Sequence, residues 1–305
     1  MKILFTCNEY PPYPHGGQGI FVKDIAEELT NMGHKVFVYG MYPDIKKRTT
    51  LQINGVLLIK DPLYWSKGRI SFFKMIIEYG KNINYICKNN NIDIVETSDI
   101  SGLFLNISFK PLFVRLHNGQ RYLSNPLNKR SFILQLVERI SFFAKNIHVI
   151  GVSQSVLNQF IHYFKFIRTK SMTVVHNGIN IKENTCKEKK LCKQNKSIVY
   201  AGTLKPIKGI ENLVKSFSKS DVHKNGYTLD IYGNDTMINN ESYIKKIFNL
   251  NPNISELVNT GKIKYEGVKS REEILSIYKN SALCIFPSIL ESFGLVVVEA
   301  MSQGA

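Results

Sequence analysis

The chain contains 305 residues, of which 44% are apolar and 21% charged. This length predicts two domains of about 100–200 residues each, and the ordinary apolar fraction excludes disorder as the main state. Apolar runs stay well below the ~18 residues of a spanning helix, so we expect none. Residues 1–6 turn polar too early for a signal peptide and predict a strand instead. A cytoplasmic protein is therefore expected, with the inner face of the membrane as the alternative location.

The formal charge is +16, from 40 Lys and Arg against 24 Asp and Glu. Lysine-rich coding bias is one explanation, and attraction to nucleic acid, an anionic membrane or a phosphorylated ligand is the other. The charge is spread evenly, since residues 1–152 net 19 − 11 = +8 and the remainder net 21 − 13 = +8. A nucleic-acid binder concentrates its charge, so no nucleic-acid partner is predicted.

The cysteines indicate neither a disulfide framework nor a zinc site, because their number is odd and their spacing irregular. The sequence also lacks an Asp-x-Asp pair that could begin a metal site. We therefore predict no metal and no cofactor. The cysteines are Cys7, Cys87, Cys186, Cys192 and Cys284.

The first half alternates strand and helix patterns. A strand at 2–6 precedes a loop rich in Pro and Gly, and apolar residues then recur from Phe21 to Met32 at helical spacing. Gly33 ends that helix and a strand follows at 35–39, which together predict a βαβ unit with parallel strands. Further strands are predicted at 56–59, 92–96, 112–116, 147–152 and 172–175.

The second half repeats the alternation after a polar stretch at 182–196 that contains six lysines. Such a stretch predicts a linker. We therefore expect an N-terminal domain at 1–180, a linker at 181–196 and a C-terminal domain at 197–305. Strands are predicted at 197–201, 227–232, 262–265 and 283–286, and helices at 209–219, 241–250 and 271–279. The pattern still indicates core close to residue 305, so the second domain is expected to be incomplete.

Two loops of the first half are candidate sites, because ligands of open α/β sheets bind beyond the carboxyl ends of strands. His15-Gly16-Gly17-Gln18-Gly19 precedes the first helix, where glycines let backbone N–H groups approach an anion. An ordinary glycine-rich turn is the alternative. His117 directly follows the strand at 112–116 and is either a site residue or a residue that caps its loop.

Two loops of the second half carry charged residues. Lys205 and Lys208 lie beside a predicted helix start and suit a phosphate group, or else belong to a solvated loop. Glu291 follows the strand at 283–286, and Glu299 lies eight residues later inside an apolar helix. A lone buried carboxylate is costly, so Glu299 is expected to have a partner, and sugar hydroxyls are suitable donors.

In this order the motifs resemble the glycosyltransferase group 1 family of retaining, nucleotide-sugar-dependent enzymes with the GT-B fold. The Glu291…Glu299 spacing is similar to the family's Glu-x7-Glu signature. The other motifs that carry the resemblance are Gly16-Gly17, His117, Asn177-Gly178-Ile179-Asn180 and Gly202…Lys208-Gly209. The resemblance implies two Rossmann-like domains that face a cleft.

The resemblance also implies roles for individual residues. His117 is expected against the donor sugar and Glu291 on the sugar hydroxyls, as the catalytic pair. Lys208 is expected to neutralise the donor diphosphate, and Glu299 to bind the ribose. The other implied donor-binding positions contribute backbone amides: Gly16, Gly17, Phe293, Gly294 and Leu295.

The chain departs from the family in two places. Thr203 stands where the family often has Arg, so a cation beside the diphosphate is missing unless Lys205 compensates. The family also continues after its Glu-x7-Glu helix with a strand, a phosphate loop and a final helix. We expect this sequence to lack that portion, as a truncated chain would.

The implied function is transfer of a sugar, with retention, from a nucleotide-diphosphate donor to a glycan or lipid-linked acceptor in surface polysaccharide or lipopolysaccharide synthesis. A non-catalytic basic protein that binds nucleic acid or membrane is the alternative, although it leaves the glutamate spacing unexplained. Two basic, apolar segments at 67–88 and 129–145 suggest a peripheral membrane contact. In the second, Phe132, Leu136, Ile140 and Phe143 form a helical stripe that either packs on the sheet or lies on anionic lipid.

Overall fold

A computed structural model describes residues 1–13, 16–63, 69–117, 132–143, 147–164, 169–179 and 195–305. They form two compact units, Met1–Gly178 and Ile179–Ala305. Several predictions lie outside the described residues: those on His15, Asn180, Cys186, Cys192, both ends of the basic segment at 129–145 and most of the linker at 181–196.

The first unit is built on an eight-stranded sheet in the order β3-β4-β2-β1-β5-β6-β7-β8. All neighbouring strands are parallel except β3 and β4, which form an antiparallel pair. The strands are β1 (Lys2–Thr6), β2 (Lys35–Tyr42), β3 (Thr49–Ile53), β4 (Val56–Pro62), β5 (Ile94–Ser98), β6 (Leu112–Leu116), β7 (His148–Gly151) and β8 (Ser171–Val174).

Helices cover both faces of this sheet. They are α1 (Gly17–Asn31), α2 (Arg69–Asn90), a 3-10 helix (Ile100–Asn106), α3 (Phe132–Phe143) and α4 (Gln154–Tyr163). Right-handed crossovers place α1 on one face and the other helices on the opposite face, because the connections after β1 and after β4 run in opposite directions along the sheet. The 3-10 helix lies between α2 and α3, since Asn106 donates to the Ile77 carbonyl and Phe104 packs on Phe142.

The alternating side chains of β1 explain these two layers. Ile3 and Phe5 pack with Phe21 and Val22 of α1, whereas Leu4 faces the other side of the sheet, as side chains of a strand alternate. The predicted βαβ unit is confirmed, with Ile3 opposite Val36 in a parallel pair. The sequence pattern missed β3, which is only five residues long and largely exposed.

The second unit is built on a four-stranded parallel sheet in the order β13-β10-β9-β14. Its strands are β9 (Ser197–Ala201), β10 (Thr228–Tyr232), β13 (Ile263–Gly267) and β14 (Leu283–Cys284), beside a small antiparallel ribbon of β11 (Met237–Ile238) and β12 (Glu241–Ser242). Its helices are α5 (Ile210–Lys219), α6 (Tyr243–Phe248), α7 (Pro252–Asn259), α8 (Arg271–Asn280) and α9 (Leu295–Ser302).

Two hydrophobic clusters enclose this second sheet. Ile198 and Tyr200 of β9 face α5, α6 and α7, whereas Val199 and Ala201 face Tyr278 of α8 and the α9 helix. The loops that follow the four parallel strands therefore meet at one edge of the sheet. This edge carries every site residue predicted in this half of the chain.

The helix predicted at 241–250 is confirmed over Tyr243–Phe248, after the short strand β12. The sequence pattern did not predict the next helix, which starts at Pro252, whose ring fixes the backbone angle of a first helical turn. The side chain of Asn251 caps that helix by accepting the Ile254 amide at 3.0 Å. The strand predicted at 283–286 pairs only over Leu283–Cys284.

Candidate functional site

The loops that follow β9 and β14 are held against each other by backbone contacts. Gly209 has a φ of 71°, and a Cβ at this position would lie 2.0 Å from the Pro287 carbonyl oxygen. The Ile289 amide also donates to the Ile207 carbonyl at 2.9 Å. Only glycine combines this left-handed conformation with such a close approach, so Gly209 sets the distance between the two loops.

Lys208 and Glu291, predicted from separate motifs, form an ion pair across these loops. The Lys208 Nζ lies 2.5 Å from Glu291 Oε1, which also accepts from the Ser288 hydroxyl at 2.9 Å. Their side chains are 29% and 30% exposed. A half-exposed pair of this kind contributes only about 0–1 kcal/mol to stability, so an anionic or hydroxylated ligand can compete for both partners.

Tyr200 lies close enough to this ion pair to interact electrostatically with Glu291. The sequence had not indicated Tyr200 as a residue of the candidate site. It is buried at the end of β9, and its hydroxyl donates to the Thr203 carbonyl at 3.3 Å. Burial and the charge of Glu291 raise the pKa of Tyr200 above its usual range. The Thr203 side chain itself is exposed, as is Lys205.

The α9 helix begins directly after Gly294, which has a φ of 80° and forms its N-cap. The amides of Gly294 and Leu295 therefore lie at the positive end of the helix, where the dipole favours negative charge. This placement agrees with the helix start that the sequence predicted. Phosphate or sugar oxygens at these amides remain a prediction.

Glu299 has the partner that its burial requires. Its side chain is 11% exposed, and its Oε1 accepts from the Arg271 Nε at 2.9 Å. Arg271 is the first residue of α8, which starts with a capping box between Ser270 and Glu273. No sequence pattern indicated Arg271, which lies 28 residues from Glu299 and follows a different strand. Ribose binding by Glu299 remains a prediction.

The glycine loop of the first unit binds a carboxylate of its own chain. Gly16 is the N-cap of α1, and its amide donates to Glu9 Oε2 at 3.1 Å. The Gly19 amide donates to Glu9 Oε1 at 2.9 Å. Glu9, which the sequence analysis missed, thus satisfies two amides of this helix start. The contact predicted between Gly17 and a diphosphate remains a prediction.

His117 is buried at the end of β6. Its backbone amide donates to Asp99 Oδ1 at 3.0 Å, and its ring lies 5.4 Å from the ring of Phe21 on α1. Burial and, to a smaller extent, the positive charge of Arg115 lower the pKa of His117 to about 3. The imidazole is therefore neutral at physiological pH and can exchange hydrogen bonds with uncharged hydroxyls. The sequence pattern predicted His117 but not Asp99.

None of the helices that the structure describes is long and apolar enough to cross a bilayer. Over the same residues, no three His, Cys, Asp or Glu side chains come together as metal ligands.

Two family profiles match the chain. That of "Glycosyltransferase Family 4" matches residues 15–183, more than half of the chain, and that of "Glycosyl transferases group 1" matches residues 182–305. An uncharacterised glycosyltransferase from Methanocaldococcus jannaschii is 25% identical over 321 residues, which cover 100% of this chain and 79% of that relative. The capsular polysaccharide biosynthesis glycosyltransferase CapM from Staphylococcus aureus is 26% identical, over 76% of this chain and 60% of CapM.

Solved structures share the fold at low sequence identity. Sucrose-phosphate synthase from Thermosynechococcus elongatus has a TM-score of 0.73 at 18% identity, over 100% of this chain and 79% of that one. Anabaena HepE in complex with UDP and glucose has a TM-score of 0.65 at 19% identity, over 100% of this chain and 79% of HepE. The class is thus a GT-B transferase with Rossmann-like units, as predicted. The chain belongs to the glycosyltransferase family that the two profiles describe, and the resemblance to group 1 is confirmed.

Proposed function

We propose that the chain transfers a sugar, with retention of configuration, from a nucleotide-diphosphate donor to a glycan or lipid-linked acceptor. The Lys208–Glu291 pair carries this proposal, because it joins a cation for a diphosphate to a carboxylate for sugar hydroxyls. Structures of the same fold contain UDP with glucose or UDP-2-fluoro glucose, which supports a nucleotide-sugar donor. CapM is named for capsular polysaccharide biosynthesis, which supports a surface glycan as the product.

In this proposal the C-terminal domain predicted at 197–305 binds the donor. Lys208 offsets the negative charge that develops on the departing diphosphate, and the amides at the start of α9 add to this stabilisation. Glu291 accepts hydrogen bonds from the sugar hydroxyls. Glu299 accepts from the ribose hydroxyls while Arg271 orients its carboxylate.

The N-terminal domain predicted at 1–180 binds the acceptor in the same proposal and contributes His117. A neutral imidazole there exchanges hydrogen bonds with a hydroxyl of the donor sugar and adds no charge beside the acceptor. We assign no nucleophile. A front-face reaction, in which the leaving phosphate takes the proton of the acceptor hydroxyl, is compatible with retention.

The experiment is a binding and turnover screen of the purified chain. Nucleoside diphosphates of uracil, guanine and adenine are titrated by calorimetry against the matching nucleosides, and release of nucleoside diphosphate is then followed from the corresponding UDP-, GDP- and ADP-sugars. We expect one diphosphate to bind much more tightly than its nucleoside. Equal weak binding of all six compounds would contradict the proposal.

A membrane contact is the second part of the proposal. Phe73 and Ile77 on α2 are 45% and 46% exposed, as are Leu136 and Ile140 on α3, at 45% and 46%. The α3 stripe does not pack on the sheet at these two residues, whereas Val137 is buried. The side chains of Phe132 and Phe143, the other two residues of that stripe, lie outside the described set.

Exposed cations accompany these apolar side chains, namely Lys74 on α2 and Arg139 on α3. We call Phe73, Lys74, Ile77, Leu136, Arg139 and Ile140 the apolar–basic face; both helices lie on the same side of the sheet. Apolar residues flanked by cations suit an interface with anionic lipid, which would bring the enzyme to a lipid-linked acceptor. Each cation near such a surface contributes about 1 kcal/mol to binding.

A further inference from the structure

Arg115 is a buried cation two residues before His117, and the roles described so far do not use it. Its side chain is 7% exposed. Its Nε donates to Glu96 Oε1 on β5 at 2.7 Å, and its Nη2 reaches Glu96 Oε2 at 3.4 Å. Its Nη1 donates to the carbonyl of Val175, just after β8, at 2.9 Å. The guanidinium therefore links β5, β6 and the segment after β8 at the edge of the sheet that carries His117.

The same guanidinium also contacts the aromatic neighbour of His117. Its central carbon lies 4.7 Å from the centre of the Phe21 ring, in a cation–π arrangement. The Phe21 ring in turn lies 5.4 Å from the His117 ring. Arg115 lies on β6 and His117 is the first residue after that strand, and both side chains lie against the Phe21 ring. Phe21 on α1 is thus packed on the end of β6.

Stability alone does not account for this arrangement. A buried ion pair is weak evidence for stability, because the cost of desolvating two charges offsets most of their attraction. An apolar side chain at position 115 could cover Phe21 without any desolvated charge. The cation of Arg115 has an additional electrostatic effect on His117, because a positive charge close to an imidazole disfavours its protonated form.

The groups that face His117 come from three elements. Arg115 from β6 is cationic, Asp99 after β5 accepts the backbone amide of His117, and Phe21 from α1 has no titratable group. Glu96 lies beyond Arg115 and is its ion-pair partner. Burial and Arg115 both lower the pKa of His117.

We propose that Arg115 is a positioning residue for sugar transfer: held by Glu96 and stacked on Phe21, it fixes the imidazole of His117 in place and keeps it uncharged. This inference rests on the proposed role of His117. An uncharged imidazole can hydrogen-bond a sugar hydroxyl as donor or acceptor, whereas an imidazolium could only donate.

The test compares three variants of the whole chain. Arg115→Met removes the charge, Arg115→Lys keeps it without the guanidinium fork, and Arg48→Met is the matched control. Arg48 also forms a forked ion pair in the first unit, with Asp61 at 2.8 and 2.6 Å, and its guanidinium lies over Tyr85 instead of Phe21. The ring signal of His117 is assigned by NMR from its absence in His117→Gln and followed from pH 8 to pH 4.

We expect the His117 signal to stay constant over this range in the parent chain, in Arg115→Lys and in Arg48→Met. In Arg115→Met the midpoint should rise by about 1 unit or more, from about 3 to about 4 or above, because the cation is gone and Glu96 is left unpaired. The His117 signal of this variant should therefore change at the acid end of the range. Transfer by Arg115→Met should then lose activity on the acid side of its pH profile, in kcat more than in KM, and Arg115→Lys should restore the profile.

An unchanged His117 signal in folded Arg115→Met would overturn the proposal and leave Arg115 a structural residue. If Arg115→Met does not fold, the double variant that combines Glu96→Met and Arg115→Met removes both buried charges. The titration midpoint of His117 is again expected to rise in this variant, because the cation is gone. The NMR result does not depend on turnover. Absence of any donor turnover, with the shift present, would contradict the proposed function and not the effect of Arg115 on His117.

Discussion

Lys208 meets Glu291 across 83 residues of sequence, and its proposed role beside a diphosphate can be tested directly. We expect Lys208→Ala to weaken nucleoside diphosphate binding by roughly tenfold or more, because a hydrogen bond to a charged group contributes about 1.5–3 kcal/mol. Binding of the matching nucleoside should change little, since the lost contact is to phosphate. Calorimetric titration with both ligands measures the difference.

Lys215→Ala is the control for this prediction. Lys215 forms an ion pair with Glu211 of the same 2.5 Å length, but both residues lie on α5 and neither belongs to the two loops. Its loss should leave both affinities unchanged. Equal weakening of diphosphate and nucleoside by Lys208→Ala would show that the lysine supports the fold and not the phosphate contact.

Glu299 carries a separate prediction, because it is buried and already paired with Arg271. Glu299→Gln keeps the size of the side chain but removes the charged acceptor for the ribose. Donor affinity should fall by at least roughly tenfold, which corresponds to about 1.4 kcal/mol. The measurement is titration with the nucleoside diphosphate that binds the parent chain.

Stability has to be followed in the same Glu299 variant, since Arg271 loses its carboxylate. Glu272→Gln, at an exposed position of α8, serves as the control and should change neither affinity nor stability. Reduced stability with unchanged nucleotide affinity in Glu299→Gln would mean that the carboxylate serves Arg271 alone.

At the scale of loops and helices, Gly209 decides whether the two site loops can meet. Gly209→Ala should lower the free energy of unfolding by more than the ~1–2 kcal/mol of a left-handed backbone, because the new Cβ would strike the Pro287 carbonyl. Gly261→Ala is a close control: its φ is 69°, yet a Cβ there meets nothing nearer than Lys264 Cε at 3.8 Å. Chemical denaturation gives both values. Equal losses would argue against the loop contact.

The apolar–basic face gives the second prediction at this scale. The chain should cosediment with vesicles of anionic lipid, less so as salt rises, and not with neutral vesicles. Replacing Phe73, Ile77, Leu136 and Ile140 by Ser should abolish cosedimentation without unfolding the protein, since these side chains are exposed.

Exposed apolar residues on α4 provide the control for this face. Ile161 and Tyr163 are 46% and 42% exposed on a helix of the same unit. Their replacement by Ser should leave vesicle binding unchanged. A chain that fails to bind anionic vesicles at low salt would favour an acceptor in solution.

At the scale of the whole molecule, the charge of +16 is compatible with two ligands, nucleic acid and a nucleotide donor, and binding measurements distinguish them. A nucleoside diphosphate at 100 times its Kd should stabilise the fold by about 2.7 kcal/mol and raise Tm. This shift should persist at physiological salt. Binding of duplex or single-stranded DNA through the distributed lysines should be weak and should fade as salt rises, because it depends on counterion release. Tight DNA binding without a nucleotide shift would favour the alternative.

The sequence by itself determined the α/β class and most of the strands along the chain. Hydrophobic periodicity is local, and it revealed β9 and α8 within a few residues of their bounds. His117, Lys208 and Glu291, chosen because they follow predicted strands, do lie beyond the carboxyl ends of strands, which share one edge in a parallel sheet. Their roles in donor binding stay predictions.

Only the tertiary structure decided which residues meet. The pairs Lys208–Glu291, Arg271–Glu299 and Arg115–Phe21 join segments that the order of strands in each sheet brings together, and no local pattern encodes that order. Helical spacing likewise showed that Leu136 and Ile140 share a side of α3. It could not show that this side is exposed, because burial depends on what packs against a helix and not on the helix itself.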